Sequence, residues 1–107
     1  MVNRFDIYLL NMDAAHSAGE ARNTRPCVVV SPDELNRHVE TAIVAPISST
    51  RAPYPTRVEI EFLNGRRHVI LDQIRTVETT RLVKKVGELD ADARKKVLAV
   101  LAELFAE

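Results

Sequence analysis

The side chains in this sequence that could act on a phosphate are Glu20, Arg22, Arg25, Ser48, Ser49, Arg51, Tyr54, Asp72 and Arg75, with His16 close to Glu20. Arg25 stands out among them. It closes a polar stretch, Glu20-Ala21-Arg22-Asn23-Thr24, and precedes Pro26 and the apolar run Cys27-Val28-Val29-Val30. An arginine fixed where a loop enters a rigid strand holds out a planar fork of donors suited to a phosphate. Glu20 lies close enough for the loop to fold its carboxylate back onto that guanidinium. The same spacing also fits an ordinary surface ion pair. A phosphodiester under attack gathers charge on its non-bridging oxygens, and fixed guanidinium and hydroxyl donors there lower the barrier. In RNA the neighbouring 2′-hydroxyl is already the nucleophile, so the protein need only position, stabilise and move protons. Arg25 and Ser48/Ser49 form such a set if their strands are neighbours, although paired serines after a strand are also plain turn chemistry.

Other chemistries lack their signals. There is no G-x-S-x-G, P-loop or H-E-x-x-H, and no Cys/His cluster with metal-ligand spacing. His16, His38 and His68 lie in or beside polar segments and read as solvated surface residues. Cys27, the single cysteine, cannot close an intramolecular disulfide and reads as a small core residue.

The elements that must position these groups follow from period and punctuation. Phe5–Leu10 reads as a first strand, followed by a long polar loop, Asn11–Thr24, of a length usually associated with function or disorder. Cys27–Ser31 is a second strand. Ser31-Pro32-Asp33-Glu34 resembles a helix start with Ser31 as N-cap, good for about a turn. Thr41–Ile47 is a third strand, its Pro46 suggesting an edge or a bulge. Ser48–Pro55 is a second polar loop exposing Tyr54. Arg57–Phe62 alternates as a half-buried strand, Asn64-Gly65 signals a hairpin, and Arg67–Leu71 returns from it. Gln73–Val77 extends the sheet, Thr79–Leu82 forms a short helical turn, and Lys84–Gly87 is a last strand. Asp90 caps a terminal helix whose Ala93, Val97, Leu98, Leu101, Leu104 and Phe105 form one apolar stripe. These elements predict a mainly β (α+β) protein: a small, strongly bent antiparallel barrel closed by a C-terminal helix.

Length and charge bound the rest. The chain has 107 residues, 46% hydrophobic and 28% charged, which suits one soluble domain spanning 1–107. Fifteen basic and fifteen acidic residues cancel, so net charge alone does not announce a nucleic-acid binder. Their distribution is uneven: residues 51–85 carry eight Lys/Arg against four Asp/Glu, an excess of four. If folding gathers that segment with Arg22 and Arg25, a neutral protein has a basic face. No signal-peptide pattern and no membrane-length apolar run is present, and a cytoplasmic protein with no membrane partner is expected.

Several stretches together resemble the MazF/PemK toxins of bacterial toxin–antitoxin systems. They are Asp6-Ile7-Tyr8-Leu9, Glu20 with Arg25-Pro26 and the valine strand, Asn36-Arg37, Val44-Ala45-Pro46-Ile47-Ser48-Ser49, Tyr54-Pro55-Thr56 with Val58-Glu59, Leu71-Asp72-Gln73-Ile74-Arg75-Thr76-Val77, and Arg81-Leu82. Their order and spacing cover nearly the whole chain. The resemblance implies an SH3-like barrel assembled as a homodimer. It further implies an endoribonuclease (mRNA interferase) that cuts single-stranded RNA at short motifs with no metal or other cofactor, leaving 2′,3′-cyclic phosphate and 5′-hydroxyl ends. Translation and growth would stop until a cognate antitoxin, through an acidic segment, filled the same groove. The family's essential arginine falls on Arg25 and its essential hydroxyl on Ser48, while Glu20 falls on an acidic active-site or RNA-contact residue. Asp72 matches a base proposed in some members, although the arginine those members carry two residues earlier is Ile70 here. Where many members have threonine, Ser48 lacks the methyl that fixes the rotamer. His16, Arg22, Ser49, Arg51, Tyr54 and Arg75 are further catalytic or RNA-binding candidates. Two other functions fit such a barrel: a non-catalytic nucleic-acid or protein-binding module, and a gyrase-poison toxin.

Overall fold

A computed structural model describes residues 1–13, 23–50 and 54–107 of the chain. The expectations for His16, Glu20, Arg22 and Arg51 fall outside the described residues. Seven strands form one curled sheet: β1 (Asp6–Asn11), β2 (Thr24–Val29), β3 (Thr41–Ser48), β4 (Arg57–Phe62), β5 (Gly65–Ile70), β6 (Arg75–Glu78) and β7 (Leu82–Glu88). Two helices, α1 (Asp33–His38) and α2 (Ala91–Leu104), accompany them. The strand order is β4-β5-β3-β2-β1-β7, every neighbour antiparallel, with β6 also on β3. No described helix is long and apolar enough to cross a membrane.

β3 is the spine. Its Thr41–Val44 half pairs with β6, and its Ile47-Ser48 end pairs with β5. A 3₁₀ turn at Leu71–Gln73 carries the chain from β5 to β6. Pro46 therefore sits inside the sheet, against Cys27 of β2, rather than at an edge. It lies between the residues that pair with β6 and those that pair with β5, where a missing N–H interrupts neither ladder.

Alternation along the strands sorts side chains onto two faces. Val28, Val30, Ala45, Ile47, Val58, Ile60, Phe62, Val69 and Leu71 build the main core with Ala93 and Val97 of α2. Cys27, Val29, Ala42, Val44, Val77, Leu10 and Leu82 form a second cluster on the other face. Asp90 caps α2 as expected, accepting from Ala93 N at 2.8 Å. The buried side of that helix is narrower than its apolar stripe. Leu98 and Phe105 are exposed, since only Ala93 and Val97, with partly buried Val100 and Leu101, face the sheet.

Three local expectations are corrected. β2 begins at Thr24, so Pro26 lies within it, opposite Leu9 of β1. Ser31 does not cap α1. It is buried, its hydroxyl donating to Asn36 Oδ1 at 2.6 Å and accepting from Ile43 N at 3.0 Å, while Pro32 takes the cap position. The hairpin turns on Leu63-Asn64, both in the left-handed region (φ 52° and 58°), and Gly65 already pairs with Phe62. Positive φ at both central residues fits the two-residue hairpin twist.

Candidate active site

Cys27 of β2 faces Pro46 of β3 at the end of their ladder, and Arg25 and Ser48 follow two residues further along the two strands. Both lie on the face of the second cluster, Arg25 in step with Cys27 and Val29, Ser48 in step with Val44 and Pro46. The sequence expectation that these two strands are neighbours holds. Arg25 is held by β1, where it pairs with Leu10. Ser48 is half-buried, and its Oγ accepts from Thr50 N at 3.0 Å, which anchors the oxygen and leaves its proton to donate. Ser49 follows it, exposed.

Arg25 and Arg75 stand on the rim of one cleft of about 220 Å³, with Leu10, Cys27 and Val44 in its floor and Pro26, Pro46 and Gln73 in its walls. Arg75 pairs with Val44 in register, and its Nη2 lies 3.8 Å from Met12 Sδ. Two guanidiniums above an apolar floor suit a nucleotide, a phosphate at the rim and a base beneath. The cleft does not depend on thiol chemistry: burial pushes the Cys27 thiol up to about 12, with a backbone hydrogen bond at Tyr8 and the Arg75 charge opposing.

Arg81, which the sequence did not single out as a site residue, fixes the cleft's other lip. Its Nη1 donates to Asn11 O at 3.2 Å and Asp13 O at 3.1 Å. Met12 N donates to Asn23 O at 2.8 Å, so Met12 and Asn23 meet near Arg25. An arginine following a short polar turn carries no local sign of such a role, because its partners lie about seventy residues earlier.

Asp72 belongs to a separate cluster. Its Oδ1 accepts from Thr56 Oγ1 at 3.0 Å and from Arg57 Nε at 3.5 Å. Partial desolvation raises its pKa, but the Thr56 and Arg57 contacts outweigh that and hold the carboxyl below its ordinary value. A carboxylate so engaged is a weaker proton acceptor. Arg57 in turn stacks under Tyr54, 4.8 Å from the ring centroid, and Tyr54 is exposed as expected, at 61%. An exposed aromatic backed by a guanidinium is a stacking platform for a nucleobase.

Of the two histidines among the described residues, the reading as surface residues fails for one. His38 is exposed beside Glu34, but the His68 side chain is only 12% accessible. It pairs with Ser48 on one side and Glu59 on the other. Among the described residues, no three His, Cys, Asp or Glu side chains are grouped to hold a metal ion.

Known proteins agree with this architecture. Residues 3–105 match the family model of the PemK-like, MazF-like toxins of type II toxin–antitoxin systems. Endoribonuclease EndoA of Bacillus subtilis (strain 168) is 34% identical over 106 residues, covering 91% of this chain and 88% of that protein. A MazE–MazF structure from Deinococcus radiodurans superposes with a TM-score of 0.80 at 22% identity, covering 98% of this chain and 95% of that one. An endoribonuclease in complex with its cognate antitoxin from a Mycobacterial species gives 0.79 at 24% identity, over 96% and 93% of the two chains. At those identities the structural likenesses speak for the fold, while the family match and the EndoA relative speak for kinship. The chain belongs to the family of PemK-like, MazF-like toxins of type II toxin–antitoxin systems.

Proposed function

We propose that this protein is a toxin endoribonuclease that cuts single-stranded RNA at short sequence motifs without a metal ion. The 2′-hydroxyl attacks the adjacent phosphorus, the bond to the 5′-oxygen breaks, and the products are a 2′,3′-cyclic phosphate and a 5′-hydroxyl. The observation that supports this reading is the pairing of β2 with β3 up to Cys27 and Pro46, with Arg25 and Ser48 two residues further along their strands. Arg25 binds the scissile phosphate and stabilises its developing charge; Ser48 donates to a non-bridging oxygen. Glu20 orients Arg25 or contacts the RNA. Arg75, with Arg22, Arg51, His16 and Ser49, contacts the backbone, and Tyr54 stacks on a base. The whole chain, 1–107, acts as a single domain in the cytoplasm and assembles as a homodimer. A cognate antitoxin neutralises it by laying an acidic segment over the two rim arginines, and without the antitoxin mRNA cleavage stops translation and growth.

The test is incubation of purified protein with a long, unstructured RNA in EDTA, with primer extension to map new ends. Discrete cuts at a shared motif, absent with Arg25→Ala, are expected. An RNA pool rich in motifs that is bound but uncut would overturn the assignment in favour of a binding module.

A further inference from the structure

The buried polar atoms without a hydrogen-bond partner among the described residues are Arg4 Nε and His68 Nδ1. The second stands next to the site. Ser48 of β3, His68 of β5 and Glu59 of β4 are successive cross-strand partners, so they form one row across three strands. All three point away from the main core, since their neighbours Ile47, Val69 and Val58 point into it. His68 Nε2 lies 4.0 Å from Glu59 Oε1, which leaves Nδ1 as the ring's other polar atom. Directly paired residues place their Cβ atoms about 5 Å apart, so a small turn of either side chain brings Nδ1 to Ser48 Oγ.

We propose that His68, held by Glu59, is a positioning residue for the Ser48 hydroxyl. This rests on the ribonuclease reading above. As an imidazolium, the ring offers Nε2–H to Glu59 and Nδ1–H to Ser48 Oγ. That oxygen then accepts from both Thr50 N and His68 Nδ1, and its own proton has one direction left, outwards to the phosphate. His68 thereby does for serine what the missing methyl would do for threonine, and adds a positive charge behind the donor. When the imidazolium loses its proton, Nδ1 becomes an acceptor and draws the Ser48 proton inwards.

The charges around the ring make Glu59 its principal counter-ion. On β4, Glu59 is directly opposite and Arg57 and Glu61 are diagonal; on β5, Arg66 is two residues away; β3 presents only Ser48. Arg57 is engaged by Asp72, and Arg66 is opposite Glu61.

The experiment is the pH profile of kcat/KM on a short RNA containing the mapped motif, for wild type, His68→Asn and Glu59→Gln. Wild type should lose activity towards alkaline pH, where a neutral ring no longer offers Nδ1–H to Ser48. His68→Asn, which cannot titrate, should lack that limb and fall about tenfold below wild type on its acid side, the size of a lost charge-assisted hydrogen bond. Glu59→Gln, which leaves the ring without its counter-ion, should lower kcat/KM about threefold. Profiles of Glu59→Gln or His68→Asn that superimpose on wild type would overturn the proposal while leaving the ribonuclease reading intact. NMR of the His68 ring nitrogens supplies a readout independent of cleavage. The ring nitrogen shifts should change in Glu59→Gln and in Ser48→Ala, and shifts indifferent to both would likewise overturn the proposal. Absence of cleavage by wild type at every pH, with the NMR coupling present, would refute the ribonuclease reading instead.

Discussion

Thr56, just before β4, is joined to Asp72 in the turn after β5: the Thr56 hydroxyl donates to Asp72 Oδ1 at 3.0 Å, and the same oxygen holds Arg57 beneath Tyr54. The carboxylate therefore braces a stacking platform. Asp72→Asn should lower kcat less than about threefold and raise KM more, because an amide keeps the shape but loses the ion pair. Steady-state kinetics on the motif RNA decide; a kcat loss of about a hundredfold or more would restore Asp72 as a proton acceptor.

The same pair gives an acid-side prediction. A carboxyl held below the ordinary 3.8 stabilises the fold above that value and ceases to do so as pH falls through its folded value. Thr56→Val should move the Asp72 titration upwards, towards 3.8, as read by carboxyl carbon NMR shifts. An unmoved titration would mean that the hydroxyl does not matter to it.

Arg25→Lys keeps the charge but loses the planar fork. We expect about a hundredfold loss of kcat/KM, with Arg25→Ala losing about a thousandfold or more, and no change in melting temperature for either. Arg25 is exposed, so a fall in melting temperature would indicate a structural role instead.

The pairing of Ser48 with His68 predicts a non-additive cycle. In the Ser48→Thr background, the added methyl fixes the hydroxyl, and His68→Asn should cost under about threefold rather than about tenfold. Equal costs in the two backgrounds would separate the histidine from the hydroxyl.

Burial of Cys27 predicts an inert thiol. It should react with thiol reagents at pH 8 only after unfolding. The unfolded thiol ionises near 9.0 and the folded one at about 12, so stability should decline as pH rises from 9. Cys27→Ala, which abolishes the titration, should flatten that decline in chemical denaturation measured at a series of pH values.

Elements whose evidence is local were legible before the structure. The alternation of Arg57–Phe62, the Asp90 cap and the arginine at the mouth of the valine strand all rest on neighbours within a few residues. What was missed depends on distant partners. His68 lies among polar residues in the chain, and only its pairing with both Ser48 and Glu59 removes it from solvent. Ser31 has the type and place of a helix cap, but Ile43 on the next strand claims its hydroxyl first. Leu98 and Phe105 belong to an apolar stripe wider than the sheet edge available to cover it. Arg81 reads as punctuation between elements until β1 supplies the carbonyls it binds. Arg25 and Ser48 stood out because each sits at a strand end; that they share a face follows from a register no local pattern encodes.

β3 divides its length between partners, β6 along its first half and β5 at its end, while β2 lies along the other side. The consequence concerns biosynthesis. Arg25 and Ser48 emerge early, but the strand that steadies Ser48 follows only with His68, and the core beneath both is completed by Val97. A nascent chain that has made Arg25 and Ser48 still lacks the scaffold that aims them.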